Sequence, residues 1–206
     1  RMTSTGDFAS LPRNHYGTIY ADPPWGFKTF DKRIVIPQRG DTPHYQAMTL
    51  DDIKSLPVGE VAAENCVLHL WTISSHLSLS MEVAKAWGFN YKSLGIVWVK
   101  TQKGAPEIPK MGMGLWFRQE AEVCLLFTKG KPKRNEKGVR QVILEPAREH
   151  SRKPEEGARR VTRLSDGPYL ELFGREHRDG WDVWGDQFNK FDNSMKEFQT
   201  KDYINV

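Results

Sequence analysis

Residues 16–25 read YGTIYADPPW, and this stretch decides the fold. Its first six residues are apolar or β-prone on both sides of the pleat, the pattern of a strand covered on both faces in a largely parallel sheet. Pro23 and Pro24 end the strand, because each proline fixes φ and removes a ladder N–H. Asp22 is thereby delivered to the rim of the sheet at a carboxyl end, where open α/β sheets bind their ligands.

The same strand pattern recurs downstream. Further strands are predicted at 65–71, 91–99, 121–128, 141–144, 169–173 and 181–184. Helices are predicted between them. Thr49 and Asp52 form a variant capping box for a helix that ends before Pro57. Ser74 is placed to cap a helix running to Trp87, with Gly88 beyond its end. Pro154 suits the first turn of a helix reaching Leu164. Two long polar stretches, 26–44 and 100–118, read as functional loops that move in the absence of substrate. Strands separated by helices predict an α/β domain with a largely parallel sheet flanked by helices.

Composition narrows the class. A chain of 206 residues suits one domain, assigned to 1–187, with a tail at 188–206. Seven Trp, ten Phe and six Tyr supply a core that wholesale disorder would leave in water. No run approaches the ~18 apolar residues of a membrane span. Two cysteines build neither a disulfide framework nor a four-thiolate metal site, and Cys66 and Cys124 both lie in apolar runs. Buried reduced thiols, and a start (RMTSTGDF) without a signal-peptide core, predict a cytoplasmic protein. The formal net charge is +4. Twelve Lys/Arg face five Asp/Glu across residues 129–163, so the remainder of the chain is slightly acidic. That block reads either as a polyanion contact or as a solvated loop.

The chemistry of Asp22-Pro23-Pro24-Trp25 is specific. Asp22 and the Pro23 carbonyl, expected to be free, form a stiff pair of acceptors beside an indole ring. A planar exocyclic amine has two N–H groups to donate and a π-face to stack, so the group suits the amino group of adenine or cytosine. The plainer alternative is a strand ending in a Pro-Pro turn with Trp25 packed in the core.

Taken with HYQAMTLDDIKSLPV, LHLWTISSHL, GLWFRQEAEVCLLFTKGKPK, HSRKPEE and GPYLELFGREHRDGWDVWGDQ, this run resembles the DPPW-type N6-adenine methyltransferases. That family includes the catalytic subunit of the eukaryotic messenger-RNA adenosine methyltransferase and its bacterial and phage relatives. The likeness covers roughly 16–187 and is greatest to the short bacterial or phage members. It implies a Rossmann-like fold for S-adenosylmethionine with permuted motif order: the catalytic tetrapeptide comes first and the cofactor strand, YLELFGR, comes late. No metal is implied.

The resemblance also implies roles. Asp22, Pro23, Pro24 and Trp25 are the catalytic group, with Asp22 and the Pro23 carbonyl on the target amine and Trp25 lining the base pocket. His44 and Tyr45 stand on the substrate side, Tyr45 as a second stacking aromatic or simply a surface tyrosine. Lys153 lies between cofactor and acceptor, or is an ordinary helix-start lysine. Glu171, Phe173, Arg175, His177, Arg178, Asp186 and Gln187 serve the cofactor together with Asp22 and Lys153. Asp186 stands where asparagine is more usual, which puts that contact in question, and Arg178 stands where some relatives have asparagine. Lys100, Trp116 and Arg118 form the nucleic-acid side, with Glu120 and Glu122 as structural partners of that loop. His69 reads as a core-edge histidine and His76 as a surface one.

The activity implied is S-adenosylmethionine-dependent methylation of adenine N6 in DNA, with duplex substrates requiring base extrusion. RNA methylation, an inactive nucleic-acid-binding scaffold and a small-molecule or protein amine methyltransferase are the alternatives. The expected assembly is a monomer or homodimer, with room for a partner subunit that supplies sequence readout.

Overall fold

The computed structural model describes residues 4–5, 7–25, 48–112, 114, 116–148 and 152–185. The strand at the opening motif forms as β2 (Tyr16–Ala21), with five of its six residues buried, in keeping with its unbroken apolar character. It pairs in parallel with β3 (Ala62–Thr72) on one side and β8 (Tyr169–Leu172) on the other. Beyond β8 lie β9 (Trp181–Trp184) and then the short β1 (Ser4–Thr5). Beyond β3 come β6 (Ala121–Lys129), β4 (Asn90–Gln102) and β5 (Ala105–Pro109), with β7 (Val142–Pro146) also on β4.

Parallel pairing links β1, β9, β8, β2 and β3, and again β4 and β7. β6 runs antiparallel to both β3 and β4, so those two point the same way. Seven strands therefore share one direction, as expected, while β6 and β5 oppose them. The chain leaves β2 for β3 on one side and returns to β8 on the other. The carboxyl end of β2 is thus a topological switch point, where such sheets open a crevice.

Both faces are covered. On one, α1 (Leu50–Ser55), α2 (Val58–Val61) and α3 (Leu77–Ala86) bury Ile53, Val58 and Val83 against Leu68, Leu70 and Phe127. On the other, α4 (Glu155–Leu164) buries Ala158 and Val161 against Tyr20, Trp71 and Trp98. The period-two alternation of β3 divides its side chains between these layers. Helix α4 rides close over the sheet: a Cβ at Gly157 would stand 2.8 Å from the Tyr20 hydroxyl oxygen. Cys66 and Cys124 are buried free thiols.

Thr49 and Asp52 make the predicted capping box, a feature worth about 1 kcal/mol. Two expectations change. Ser74 does not cap α3; residues 74–76 form a 3₁₀ turn, and His76 precedes the helix without a side-chain cap bond. The stretch 100–118 is only partly loop, because β4 runs on to Gln102 and a turn through Gly104 leads into β5. Thr101 is buried in this part of β4, while the neighbouring Lys and Gly residues give the stretch a loop-like composition. The loop expected at 26–44, with His44 and Tyr45, lies outside the described residues, as do Asp186, Gln187 and the tail.

Candidate active site

Asp22 follows β2 directly, and its backbone N–H donates to the Leu172 carbonyl of β8 at 3.4 Å. Lys153 immediately precedes the Pro154 cap of α4 and reaches down from the facing layer. Its Nζ lies 2.7 Å from Asp22 Oδ2 and 3.2 Å from Glu122 Oε2. Glu122 also accepts from Lys100 Nζ at 2.5 Å. Four charges of alternating sign, Asp22, Lys153, Glu122 and Lys100, therefore run along the carboxyl edge of the sheet. The two lysines rest on indole faces, Lys153 on Trp71 at 5.6 Å and Lys100 on Trp98 at 5.2 Å.

Mutual pairing overrides desolvation here. Burial alone would lower the Lys153 pKa, but Asp22 and then Glu122 outweigh it and raise it. Burial alone would raise the Glu122 pKa, but Lys153 and Lys100 bring it below the ordinary range. Cys124 is different: burial, then the nearby Asp22 charge, holds its thiol well above the usual range, so it stays protonated and is no nucleophile.

The tetrapeptide closes on itself. The Trp25 N–H donates to the Pro23 carbonyl at 2.8 Å, a three-residue turn. That carbonyl was expected to be free; it is half-used, with its second lone pair available. Trp25 is partly buried and packs on the core, and its indole N–H donates to the Trp71 carbonyl at 3.2 Å. Its ring lies 6.2 Å from that of His76, which is half-buried where a surface position was expected. His69 is buried.

A second charged group stands beside the first. Burial pushes the Glu171 carboxyl of β8 up to about 7, against the opposing pull of Arg178. Arg178 Nε is 3.4 Å from Glu171 Oε2; its other end pairs with Glu155, and its plane lies 5.8 Å over Trp181. Arg152 grips Glu176 through two nitrogens. After β8 the chain turns sharply, with Phe173 at φ 63°. Gly174 is required there by packing, since a Cβ would meet Val183 Cγ1 at 2.5 Å. Asp22, Lys153, Glu171, Phe173, Arg175 and Arg178 line one cleft. His177 is exposed on the turn before β9.

Carboxylates, an ammonium and guanidinium groups converging on one cleft fit a zwitterionic, hydroxyl-bearing molecule such as S-adenosylmethionine in chemical character. The open space is small, about 30 Å³, because the arginine side chains fill it with their own ion pairs. Those side chains sit on flexible stems, and a molecule of that size would require them to move. Of the expected nucleic-acid residues, Lys100 is tied into the charge row, while Trp116 is 96% exposed and Arg118 is also exposed. Glu122 was anticipated only as a loop partner. The signal was a lone carboxylate inside the apolar run AEVCLLF, since a buried charge requires a partner.

Residues 16–187 match the family MT-A70. The chain belongs to the MT-A70 family of N6-adenine methyltransferases. It is similar to the type II methyltransferase M.MunI of Mycoplasma sp, 30% identical over 194 residues that make up 86% of this chain and 80% of the relative. It is also similar to a putative N(6)-adenosine-methyltransferase MT-A70-like of Medicago truncatula, 33% identical over 178 residues, covering 84% of this chain. The human N(6)-adenosine-methyltransferase catalytic subunit METTL3 is 30% identical over 178 residues, again 84% of this chain. These alignments span only 26% and 28% of those last two relatives. Among the described residues no helix is long and apolar enough to cross a membrane.

Proposed function

We propose that this MT-A70 protein transfers a methyl group from S-adenosylmethionine to the N6 amine of adenine in DNA, with residues 1–187 acting as one catalytic unit. The observation that carries the reading is the Lys153–Asp22 contact at 2.7 Å at the switch point of the sheet. Lys153 takes Asp22 Oδ2, which fixes the carboxylate and leaves Oδ1 to accept an N–H from the target amine. The second lone pair of the Pro23 carbonyl accepts the other N–H. An adenine amine is a poor nucleophile because its lone pair is delocalised into the ring. Two acceptors drawing on its hydrogens favour a pyramidal nitrogen and free that lone pair. Catalysis then rests on alignment and fixed electrostatics.

S-adenosylmethionine supplies an electrophilic methyl on a sulfonium. Glu171, Phe173, Arg175 and Arg178 are the described residues that would hold it, with Lys153 and Asp22 between it and the base. Glu171, poised near neutrality, suits a ribose hydroxyl as donor or acceptor. Trp25 acts as a brace for the pocket wall. Trp116 and Arg118 offer an exposed ring and a cation to the nucleic acid.

DNA is favoured because the relative whose length this chain nearly spans is named a type II methyltransferase. The relatives named for adenosine are several times longer than the match. A scaffold without activity is disfavoured by the intact Asp22-Pro-Pro-Trp25 and its lysine partner. The test is transfer of a tritiated methyl group to matched DNA and RNA oligonucleotides. Incorporation into DNA is expected; incorporation confined to RNA would reassign the substrate.

A further inference from the structure

A cavity of about 530 Å³ lies away from the catalytic edge, between the sheet and the C-terminal half of α4. Its floor is the α4-facing side of β3, β6 and β4, at Val67, His69, Leu126, Thr128, Leu94 and Ile96. Its wall is Val161 and Leu164 of α4, and its roof is the 132–141 segment. The roof is fastened. Arg160 donates to the carbonyls of Arg140 and Val142 at 2.7 and 2.8 Å. The Asn135 N–H donates to the Leu164 carbonyl at 2.9 Å, and Arg163 pairs with Glu136. These ties hold the space open against collapse.

Two features give the cavity a chemical sense. His69 is 2% exposed, and neither ring nitrogen has a hydrogen-bond partner. A buried imidazole without partners is costly until something supplies them. The rim is strongly basic: Lys92, Lys133, Arg134 and Arg140 line it, and none has an ion-pair partner among the described residues. An aliphatic chamber, a hydrogen-bonding floor and four uncommitted cations at the mouth suit a molecule with a flat polar body and an anionic end. The volume lies in the range of small-molecule sites.

We propose that this cavity binds a phosphate-bearing nucleoside unit, its base over His69 and its phosphate among Lys92, Lys133, Arg134 and Arg140. The unit is either a free nucleotide or one nucleotide of a bound strand. The site is separate from the charged cleft and independent of the methyl-transfer reading, although α4 connects the two: its C-terminal half walls the cavity and Lys153 precedes its start.

The test is calorimetric titration of adenosine 5′-monophosphate into the whole protein, with and without saturating S-adenosylhomocysteine. Saturable binding in the ~1 mM range or tighter is expected, unchanged by S-adenosylhomocysteine. Adenosine and inorganic phosphate should each bind more weakly than the nucleotide. The exposed pair Lys133→Glu/Arg134→Glu should weaken binding by roughly tenfold or more without lowering the melting temperature. Leu164→Trp, which fills the chamber, should do the same. Displacement of the nucleotide by a single-stranded oligonucleotide assigns the unit to a strand; no displacement assigns it to a free nucleotide. No binding at ~10 mM, indifference to the charge reversal, or competition with S-adenosylhomocysteine would overturn the proposal. Failure to bind S-adenosylhomocysteine at all, with nucleotide binding intact, would count against the methyl-transfer reading and leave the cavity assignment standing.

Discussion

Lys153 Nζ lies 2.7 Å from Asp22 Oδ2 although 131 positions separate the two residues. The contact exists because β2 and β8 are neighbours and α4 packs over them, so that the residues leading into the helix overhang the end of the central strand. It makes Lys153 the hub of the charge row.

Replacing the hub should therefore damage chemistry and stability together. Lys153→Met removes the cation between Asp22 and Glu122, leaving Glu122 to Lys100 and Asp22 without its lysine. A fall in kcat of about 10²-fold or more is expected, with partial rescue by Lys153→Arg. The stability lost should be ~1–3 kcal/mol, discounted from a fully buried pair because Asp22 is partly exposed. The raised Lys153 pKa means its contribution holds below the unfolded value of ~10.4 and is lost as pH rises through the folded value. The lowered Glu122 pKa means its contribution holds above the unfolded value of ~4.3 and is lost as pH falls through the folded value. Denaturation curves of both proteins from acid to alkaline pH check this. A difference that varied steeply near neutrality would be inconsistent with these shifts.

Glu171 has the opposite sign. Its folded pKa of about 7 lies above the ordinary 4.5, so the folded state binds the proton more tightly. Its contribution is most favourable at acid pH and declines between those two values, by at most about 3 kcal/mol. Glu171→Gln removes that titration. The variant should gain on the native protein as pH rises from 5 to ~7.5, read from urea unfolding midpoints. Parallel curves would show that Glu171 is ionised throughout.

The Trp25 indole N–H donates to the Trp71 carbonyl, and its ring packs on the core. Trp25→Phe keeps a ring but loses the hydrogen bond to the Trp71 carbonyl. A stability loss of about 1 kcal/mol is expected, with turnover reduced through a loosened Pro23–Trp25 turn. Steady-state kinetics together with a thermal melt measure both. Unchanged kinetics would confine Trp25 to the core.

Trp116 and Phe117 stand 96% and 90% exposed on the segment before β6, beside Arg118. Their double alanine variant should weaken oligonucleotide binding by ~1–3 kcal/mol per stacked base. Its folding stability should change by no more than ~0.5 kcal/mol, because neither ring packs on the core. Fluorescence anisotropy supplies the first number and chemical denaturation the second. Full affinity in the variant would move the nucleic-acid contact elsewhere.

Much of this architecture was legible because β2 is bounded by strong local signals, an apolar run and then two prolines. α4 was equally plain, while β9, at four residues, carried a weaker signal. The reversed direction of β6 was not, since a strand's own residues carry no mark of which way its neighbours run. That reversal brings Glu122 to the carboxyl edge, so its place in the charge row could not be read from AEVCLLF alone. The engagement of the Pro23 carbonyl by the Trp25 N–H depends on a backbone turn that proline permits but does not require. The cavity over His69 depends on Arg160 and Asn135 holding a roof segment, contacts between residues distant in sequence.

Asp22 is the proposed acceptor that positions the amine. Nucleoside mass spectrometry of DNA incubated with S-adenosylmethionine and either native protein or Asp22→Ala tests this most directly. The native protein should yield N6-methyldeoxyadenosine, and the variant should yield ~10²–10³-fold less while binding the cofactor with near-native affinity. Equal product from the two proteins, or a methyl group found on another atom, would contradict it.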